Sequence, residues 1–498
     1  MKTLFHALLT GAALLTLRAT ADPVAITVDT TAPLCTNFVG YGVQWSPYPW
    51  FDLTDAAWDK CFQRLDFMRV PIVRLMTRSY TYCEGFDAQG NPIYQWDNNR
   101  MQKMYRLLDY CESRHVKVIL GEWDHPSSNQ DRPDIATDKL QQYHLDENDP
   151  RWHRIIGDLV AHLRNDKHYT CIVYYNLLNE PNSNSSGHIE FGRWKSAITA
   201  LNAEFARRGF GQDVKIIGPD VCFLPHDGFW LDLTVQQCPG EVGAYDFHYY
   251  ATKADIESDY LEKYCWLKHD FIARFDPRGA AKPFFMGEAG MTGGPVKPQG
   301  GSDSQPHIYE HNYGVWMADY NVQCARAGMA GTIAWDLDDA MHINKDKDTH
   351  WPDVTRTLFK KWGFFNSLAN EIGHPEDLNL RPWYFTWSLM SRSFPPGCRT
   401  VKTSDTLIPG LRTLAATVGT NISIALVNDS DTPQQLQVNV PGCTAVSGLK
   451  QYNYFPDDHT VDQDGFPAPK SILLIADLSA GLAIDLPGRS VVILTSVP

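Results

Sequence analysis

Eight short apolar runs, each followed by a helix-length segment, constrain this chain more than any other feature. The runs centre on Val39, Ile72, Val118, Val173, Ile216, Phe247, Phe285 and Ile333. Each is four to eight residues of mostly β-branched, aromatic or aliphatic side chains, the signature of a strand buried on both faces. The intervening segments carry helical spacing. Thr54 is a candidate N-cap for a stripe of Trp58, Cys61, Phe62 and Leu65, spaced i, i+3, i+4, i+7. Met101, Met104, Tyr105 and Leu108 form a second stripe, and Tyr313, Trp316, Met317 and Tyr320 a later one. Further helices are expected over 152–164, 189–208, near Phe229, over 254–275 and over 382–393. Eight strand-then-helix units over residues 36–395 predict an α/β fold, a closed (β/α)₈ TIM barrel. An open doubly wound sheet is the rival, but it does not need eight evenly spaced units. No Gly-x-Gly-x-x-Gly follows the first strand, so a dinucleotide site is not indicated.

The pattern changes at the two ends. From 396 to 498 short alternating runs replace long helices, at 411–418, 422–427, 435–440, 471–475 and 491–495. Gly, Pro, Asp and Asn punctuate them, which predicts a smaller all-β sandwich at the C-terminus. Residues 22–35 contain an alternating run from Val24 to Asp29, expected to join that sandwich. Residues 1–21 read as a signal peptide: Lys2, an apolar core from Leu8 to Leu17, and Ala19-Thr20-Ala21 as the cleavage site. The core is too short to span a bilayer, so the expectation is an exported chain, extracellular or periplasmic, with no membrane partner.

The formal net charge is −14, which argues against nucleic acid or an anionic membrane as partner and suits a neutral substrate. Eleven cysteines are scattered without a Cys-x-x-Cys pair, so a zinc site is not expected. Cys222 with Cys238 is the local disulfide candidate, whereas Cys61 and Cys111 fall on apolar helix faces as buried thiols. Fifteen Trp and 22 Tyr fit either core filling or a sugar-binding cleft. Sequons stand at Asn184, Asn421 and Asn428.

Chemistry concentrates at two strand ends. The run Cys171–Tyr175 leads into Asn176-Leu177-Leu178-Asn179-Glu180-Pro181-Asn182, and Pro283–Gly287 ends in Glu288. Two carboxylates at C-terminal strand ends of one barrel supply the proton donor and the nucleophile or base that glycoside hydrolysis requires. Arg74 is a charged residue inside the second strand, and His248-Tyr249-Tyr250 lies on the sixth.

These motifs resemble glycoside hydrolase clan A, retaining enzymes on a (β/α)₈ barrel. The resemblance covers about residues 36–395 and implies roles residue by residue. Glu180 would be the acid/base and Glu288 the nucleophile. Asn179 would bond the sugar 2-hydroxyl, and Arg74 would support Glu288. His248 and Tyr250 match a His-x-Tyr whose tyrosine reaches the nucleophile. Trp335, ending the eighth strand, resembles the floor of the subsite at the cleaved bond. The strand-two Arg and the His-x-Tyr are shared with cellulase family 5. Leu486-Pro487-Gly488-Arg489-Ser490-Val491-Val492 resembles the sandwich of families 30, 39 and 51. Where family 5 cellulases usually place a His at the third strand end, this chain has Glu122-Trp123-Asp124.

Trp45, Trp123 and Asp220 also end strands, and are candidates for binding substrate or supporting the site. Glu122 and Asp124 offer further acceptors for sugar hydroxyls. Asp336, Asp338 and Asp339 lack the spacing of a calcium loop, so no metal and no cofactor is expected. The expected function is secreted, retaining hydrolysis of a β-linked polysaccharide or oligosaccharide by double displacement. An inactive carbohydrate-binding barrel and a transglycosylase using the same residues are the alternatives. Specificity is expected in loops 124–149 and 291–306, and nothing in the sequence sets the oligomeric state.

Overall fold

The computed structural model describes residues 22–127, 139–183, 188–222, 226–292, 305, 307–344 and 353–498. The signal segment 1–21 and the sequon Asn184 lie outside the described residues, and loops 124–149 and 291–306 are described only in part.

The eight expected strands close into one parallel barrel. In chain order they are Gly40–Gln44, Ile72–Thr77, Lys117–Glu122, Ile172–Asn176, Lys215–Pro219, Val242–Ala251, Phe284–Met291 and Gly331–Ala334. Each pairs with the next, and the eighth pairs back onto the first, with Gly331 opposite Gly40 and Ile333 opposite Gly42. The first, second, seventh and eighth strands are buried at every position. That is why their sequences are continuous apolar runs: one face fills the barrel and the other meets a helix. The closing seam is tight. A Cβ on Gly331 would lie 2.1 Å from the Gly40 carbonyl oxygen, and one on Gly42 would lie 2.3 Å from that of Ile72.

The outer helices follow their apolar stripes. Asp55–Met68 starts where the Thr54 hydroxyl accepts the Ala57 N–H, and it buries Trp58, Cys61 and Leu65. Asn99–Ser113 is capped by Asn98 and buries Met101, Met104, Tyr105 and Leu108. Pro150–Ala161 opens on Asp149 with proline in its first turn. The single helix expected over 254–275 is instead two, Lys253–Glu257 and Tyr260–Phe275. Ser258 adopts an extended backbone between them, and its carbonyl accepts Arg412 Nη2 at 2.7 Å. A contact from the sandwich thus uses a carbonyl that a continuous helix would have kept for itself.

The second unit is a nine-stranded sheet folded over its own core. Its order is Ser471–Ala476, Val446–Tyr454, Ser490–Thr495, Asn421–Asn428, Leu411–Val418, Arg399–Thr403, Val24–Cys35, Gln434–Asn439 and Leu482–Leu486. The long strand Val24–Cys35 makes the fold-over. It pairs antiparallel with Arg399–Thr403 and parallel with Gln434–Asn439, and its inward Ile26 and Val28 join a core with Ile424, Leu436, Ile484 and Leu494. The sandwich packs on helix His311–Arg326, where Arg412 Nη1 meets Asp319 Oδ2 at 2.5 Å. Among the described residues no helix is long and apolar enough to cross a membrane.

All eleven cysteines are free thiols, ten of them buried. The expected Cys222–Cys238 disulfide is therefore not formed. The Cys222 backbone N–H donates to Asn182 beside the barrel mouth, whereas Cys238 ends helix Phe229–Gln237.

Candidate active site

The C-terminal strand ends converge on one buried network. Arg74, from the second strand, is fully buried and spans it. Its Nη1 donates to Glu288 Oε1 at 2.7 Å and to Gln44 Oε1 at 3.0 Å. Its Nη2 donates to Asn179 Oδ1 at 2.6 Å and to Asp220 Oδ2 at 2.9 Å. Burial opposes the charge on Arg74, but Asp220 and Glu288 outweigh it and hold the guanidinium protonated. A cation this deep is tolerated because each carboxylate is hydrogen-bonded to it.

His248 links the two halves. One ring nitrogen, Nδ1, lies 2.9 Å from Glu180 Oε1 and 3.5 Å from Glu288 Oε2. The other, Nε2, lies 3.0 Å from Asp220 Oδ1. Burial alone would lower the imidazole, but Glu288 and Asp220 raise it well above its ordinary value. Tyr250, two residues on and on the same face of the strand, donates its hydroxyl to Glu288 Oε2 at 2.6 Å. Burial pushes the Glu288 carboxyl above its usual range, while His248, Arg74 and the Tyr250 hydroxyl pull it back. One carboxylate oxygen of Glu180 and one of Glu288 lie within 4.8 Å of each other.

Glu180 and Asp220 both take a left-handed backbone, at φ 44° and 56°. Such residues cost about 1–3 kcal/mol each, and they persist only where their surroundings hold them. Here the Glu180 N–H donates to the Asp220 carbonyl at 3.1 Å, tying the fourth and fifth strand ends together. Glu180 keeps some solvent contact, whereas Glu288 is buried. Glu180, His248 and Glu288 offer atoms in metal-ligand proximity. A protonated imidazole has no lone pair to give, however, and Arg74 already supplies positive charge to Glu288.

Beside the carboxylates opens a cleft of about 380 Å³. Asn179, Trp123 and Trp335 line it, together with Trp362, His342 and Trp50. Trp335 stands 5.8 Å from Trp123, nearly perpendicular to it, and 5.3 Å from Trp362. These rings present apolar faces next to the catalytic-type carboxylates, the arrangement a pyranose ring stacks on.

Not every candidate reaches this site. Trp45 is wholly buried away from the cleft, with its indole N–H on the Tyr48 hydroxyl and its ring among Trp58, Phe62 and Tyr110. Parity explains it: Gln44 points inward to Arg74, so the next side chain points out. Glu122 accepts from Tyr82 at 2.8 Å inside the wall, and burial raises its carboxyl to about 8. Asp220 is enclosed by Arg74, Asn176 and His248, so it supports the site and has no face left for sugar. Asp124 pairs with Arg78 at 3.0 Å. Asp338 accepts from Tyr48 and Ser367, and Asp339 pairs with Arg381 and accepts from Trp362 and Gly363.

Three members of the network escaped the sequence reading. Asp246 accepts the Asp220 N–H at 2.9 Å; it shares the inward parity of His248 and Tyr250, and that spacing of two was the available signal. Gln44 sits opposite Arg74 in register. Asn176 donates to Asp220 at 2.7 Å.

The chain matches the family model described as cellulase (glycosyl hydrolase family 5) over residues 30–340. No curated protein matches it. Among solved structures, the glycoside hydrolase family 30 subfamily 8 xylanase Xyn30A from Clostridium acetobutylicum superposes with TM-score 0.62 at 13% identity, covering 95% of this chain and 99% of that one. The GH39 enzyme from Xanthomonas axonopodis pv. citri gives 0.60 at 13%, covering 95% and 97%. The endo-β-1,6-glucanase BT3312 gives 0.60 at 13%, covering 96% and 94%. At these identities the superpositions speak to the fold, barrel and sandwich together.

Proposed function

The chain belongs to the cellulase (glycosyl hydrolase family 5) family, and from that premise we propose that it hydrolyses a β-linked polysaccharide or oligosaccharide with retention, Glu288 attacking and Glu180 protonating. The departure at Glu122-Trp123-Asp124 does not remove it from the family, and an inactive binding barrel is set aside. The observation that carries the mechanism is the closeness of the two carboxylates: one oxygen of Glu180 lies within 4.8 Å of one of Glu288, and His248 Nδ1 reaches both, at 2.9 and 3.5 Å. A retaining pair sits about 5 Å apart, while an inverting pair needs about 6.5–9.5 Å to admit a water.

In this reading Arg74 and Tyr250 each hold one oxygen of Glu288, which aims the carboxylate and keeps it ionised during attack on the anomeric carbon. Glu180, the more solvent-accessible of the two, gives its proton to the leaving oxygen and then takes one from the incoming water. His248 orients Glu180 through Nδ1, and Asp220 fixes the ring through Nε2. Asn179, held by Arg74, faces the sugar 2-hydroxyl. Trp335 and Trp123 form the platform.

Xylan and β-1,6-glucan, named by two of the structural neighbours, are the first substrates to try. Export through residues 1–21 belongs to the same proposal. The test is ¹H NMR of the anomeric proton in the first minutes of hydrolysis. The β-anomer is expected first, and an initial α-anomer would sink the mechanism.

A further inference from the structure

The main-chain ladder between the fourth and fifth strands ends at Tyr175 and Ile216. Glu180 and Asp220 lie beyond it, yet the site needs them at a fixed separation. One buried side chain bridges the gap. Asn182, two residues past Glu180, accepts the Cys222 N–H on Oδ1 at 3.2 Å and donates Nδ2 to the Cys222 carbonyl at 3.0 Å. A carboxamide carries the donor and the acceptor of a peptide group, so Asn182 pairs with Cys222 as an opposing strand would. The same Nδ2 also donates to Asp227 Oδ2 at 2.6 Å. That carboxylate accepts only, which fixes the nitrogen end of the amide towards it.

Both sides of this clamp are anchored. On the Cys222 side, the Asp220 N–H donates to Asp246 Oδ1 at 2.9 Å, and the Val221 carbonyl accepts the His248 N–H at 2.8 Å. The fifth strand end is thus fastened to the sixth. On the Asn182 side the chain turns tightly. The Glu180 carbonyl accepts the Ser183 N–H at 2.7 Å, the Pro181 carbonyl accepts the Ile189 N–H at 2.9 Å, and the Asn182 carbonyl accepts His188 Nδ1 at 2.8 Å. Glu180 stands in this turn at φ 44°. A left-handed glutamate relaxes once its surroundings allow it, and relaxation would draw Oε1 away from His248 Nδ1, now 2.9 Å distant.

We propose that Asn182, with Asp227 behind it, is the positioning residue of the acid/base: it holds Glu180 where its proton meets the leaving oxygen. This rests on Glu180 as the proton donor. The nucleophile is held by other groups, Arg74 and Tyr250, and among the described residues no hydrogen bond joins Asn182 to Glu288. Loss of the clamp therefore impairs protonation of the leaving group and spares attack on the anomeric carbon. A catalytic group misplaced by about 1 Å loses on the order of 10²-fold.

The test is a series of aryl glycosides of the sugar that the wild type cleaves, graded in leaving-group acidity. Active sites are counted with a fluorinated glycoside carrying an activated leaving group, which traps the nucleophile without an acid. Per counted site, Asn182→Ala should lose about 10–10²-fold in kcat/KM on the poorest leaving group and less than about threefold on the best. Asn182→Asp sets a carboxylate against Asp227 and should lose as much. Asn182→Asp/Asp227→Asn restores a donor between the two positions and should recover about threefold or more. Equal losses along the series would mean that Asn182 serves the fold alone, and would overturn the proposal. So would a double exchange no better than Asn182→Asp. Glu180→Ala, run beside them, separates the two claims: if it too loses equally on every leaving group, the acid/base assignment fails, and the role of Asn182 with it.

Discussion

At the scale of single residues, the site runs on opposed environments for chemically similar groups. Glu180 meets solvent and a histidine, while Glu288 is sealed against Arg74, Tyr250 and the same histidine. If Glu180 is the proton donor, Glu180→Ala should cost about 10²–10⁴-fold on substrates with poor leaving groups and far less on activated aryl glycosides. Azide should restore turnover and yield a β-glycosyl azide. Equal losses on both substrate types, without rescue, would remove Glu180 from that role. Glu122 makes a different kind of claim. Burial raises its carboxyl from the ordinary value to about 8, so the folded state holds a proton that the unfolded chain releases. The stability from that proton is complete at acid pH and is lost as pH rises through about 8. Glu122→Gln keeps an acceptor for Tyr82. Its melting temperature should match wild type near pH 4.5 and exceed it at alkaline pH by roughly 4 °C or more. A difference independent of pH would show that Glu122 is not neutral in the fold.

At the scale of elements, the barrel carries glycine where neighbouring backbones meet most closely, at Gly42, Gly121 and Gly331. Gly42 lies in the first strand, where an added methyl would meet the Ile72 carbonyl at 2.3 Å, the Ile72 side chain at 2.6 Å and Ile333 at 2.8 Å. Backbone cannot yield as a flexible side chain can. Gly42→Ala should therefore destabilise by about 3 kcal/mol, the upper range for overpacking, and it should loosen the pairing that sets Gln44 beside Arg74. Urea denaturation with a parallel activity assay checks both. A neutral change in stability would mean that the seam relaxes by sliding one strand past the next.

At the scale of the whole molecule, barrel and sandwich share buried charge. Arg412 reaches from the sandwich to Asp319, which is fully buried on helix His311–Arg326, and also to the Ser258 carbonyl and Asp259. Burial lifts the Asp319 carboxyl to about 7, and Arg412 opposes that rise. Removing the cation leaves a buried acid with no counter-charge. Arg412→Ala should cost about 3–5 kcal/mol, as for other broken buried pairs, and the barrel and sandwich signals should still melt together. A loss near zero, or melting of the sandwich alone, would show that this contact does not couple the two units.

The sequence by itself determined the barrel, its eight strands and the two carboxylates, because strands buried on both faces must be apolar along their whole length and catalytic-type groups then stand out at their ends. Helix Pro382–Ser393 and strand Leu411–Val418 fall at the expected boundaries for the same reason. Strands Arg399–Thr403, Val446–Tyr454 and Leu482–Leu486 were missed, since each mixes polar residues into a pattern that only neighbouring strands make sense of. The break between Lys253–Glu257 and Tyr260–Phe275 was not anticipated either; at it the Ser258 carbonyl accepts from Arg412, more than a hundred residues away. The site divides along the same line. Arg74 could be picked out as a charge inside an apolar strand, whereas His248 and Tyr250 stood out only through the resemblance to clan A. Tertiary structure alone decided that Trp45 turns outward, that Glu122 is walled in, and that Asp246, Gln44 and Asn176 complete the network. Which face a side chain takes at a strand end, and which distant group it meets there, depends on register and closure, and neither is written in local sequence.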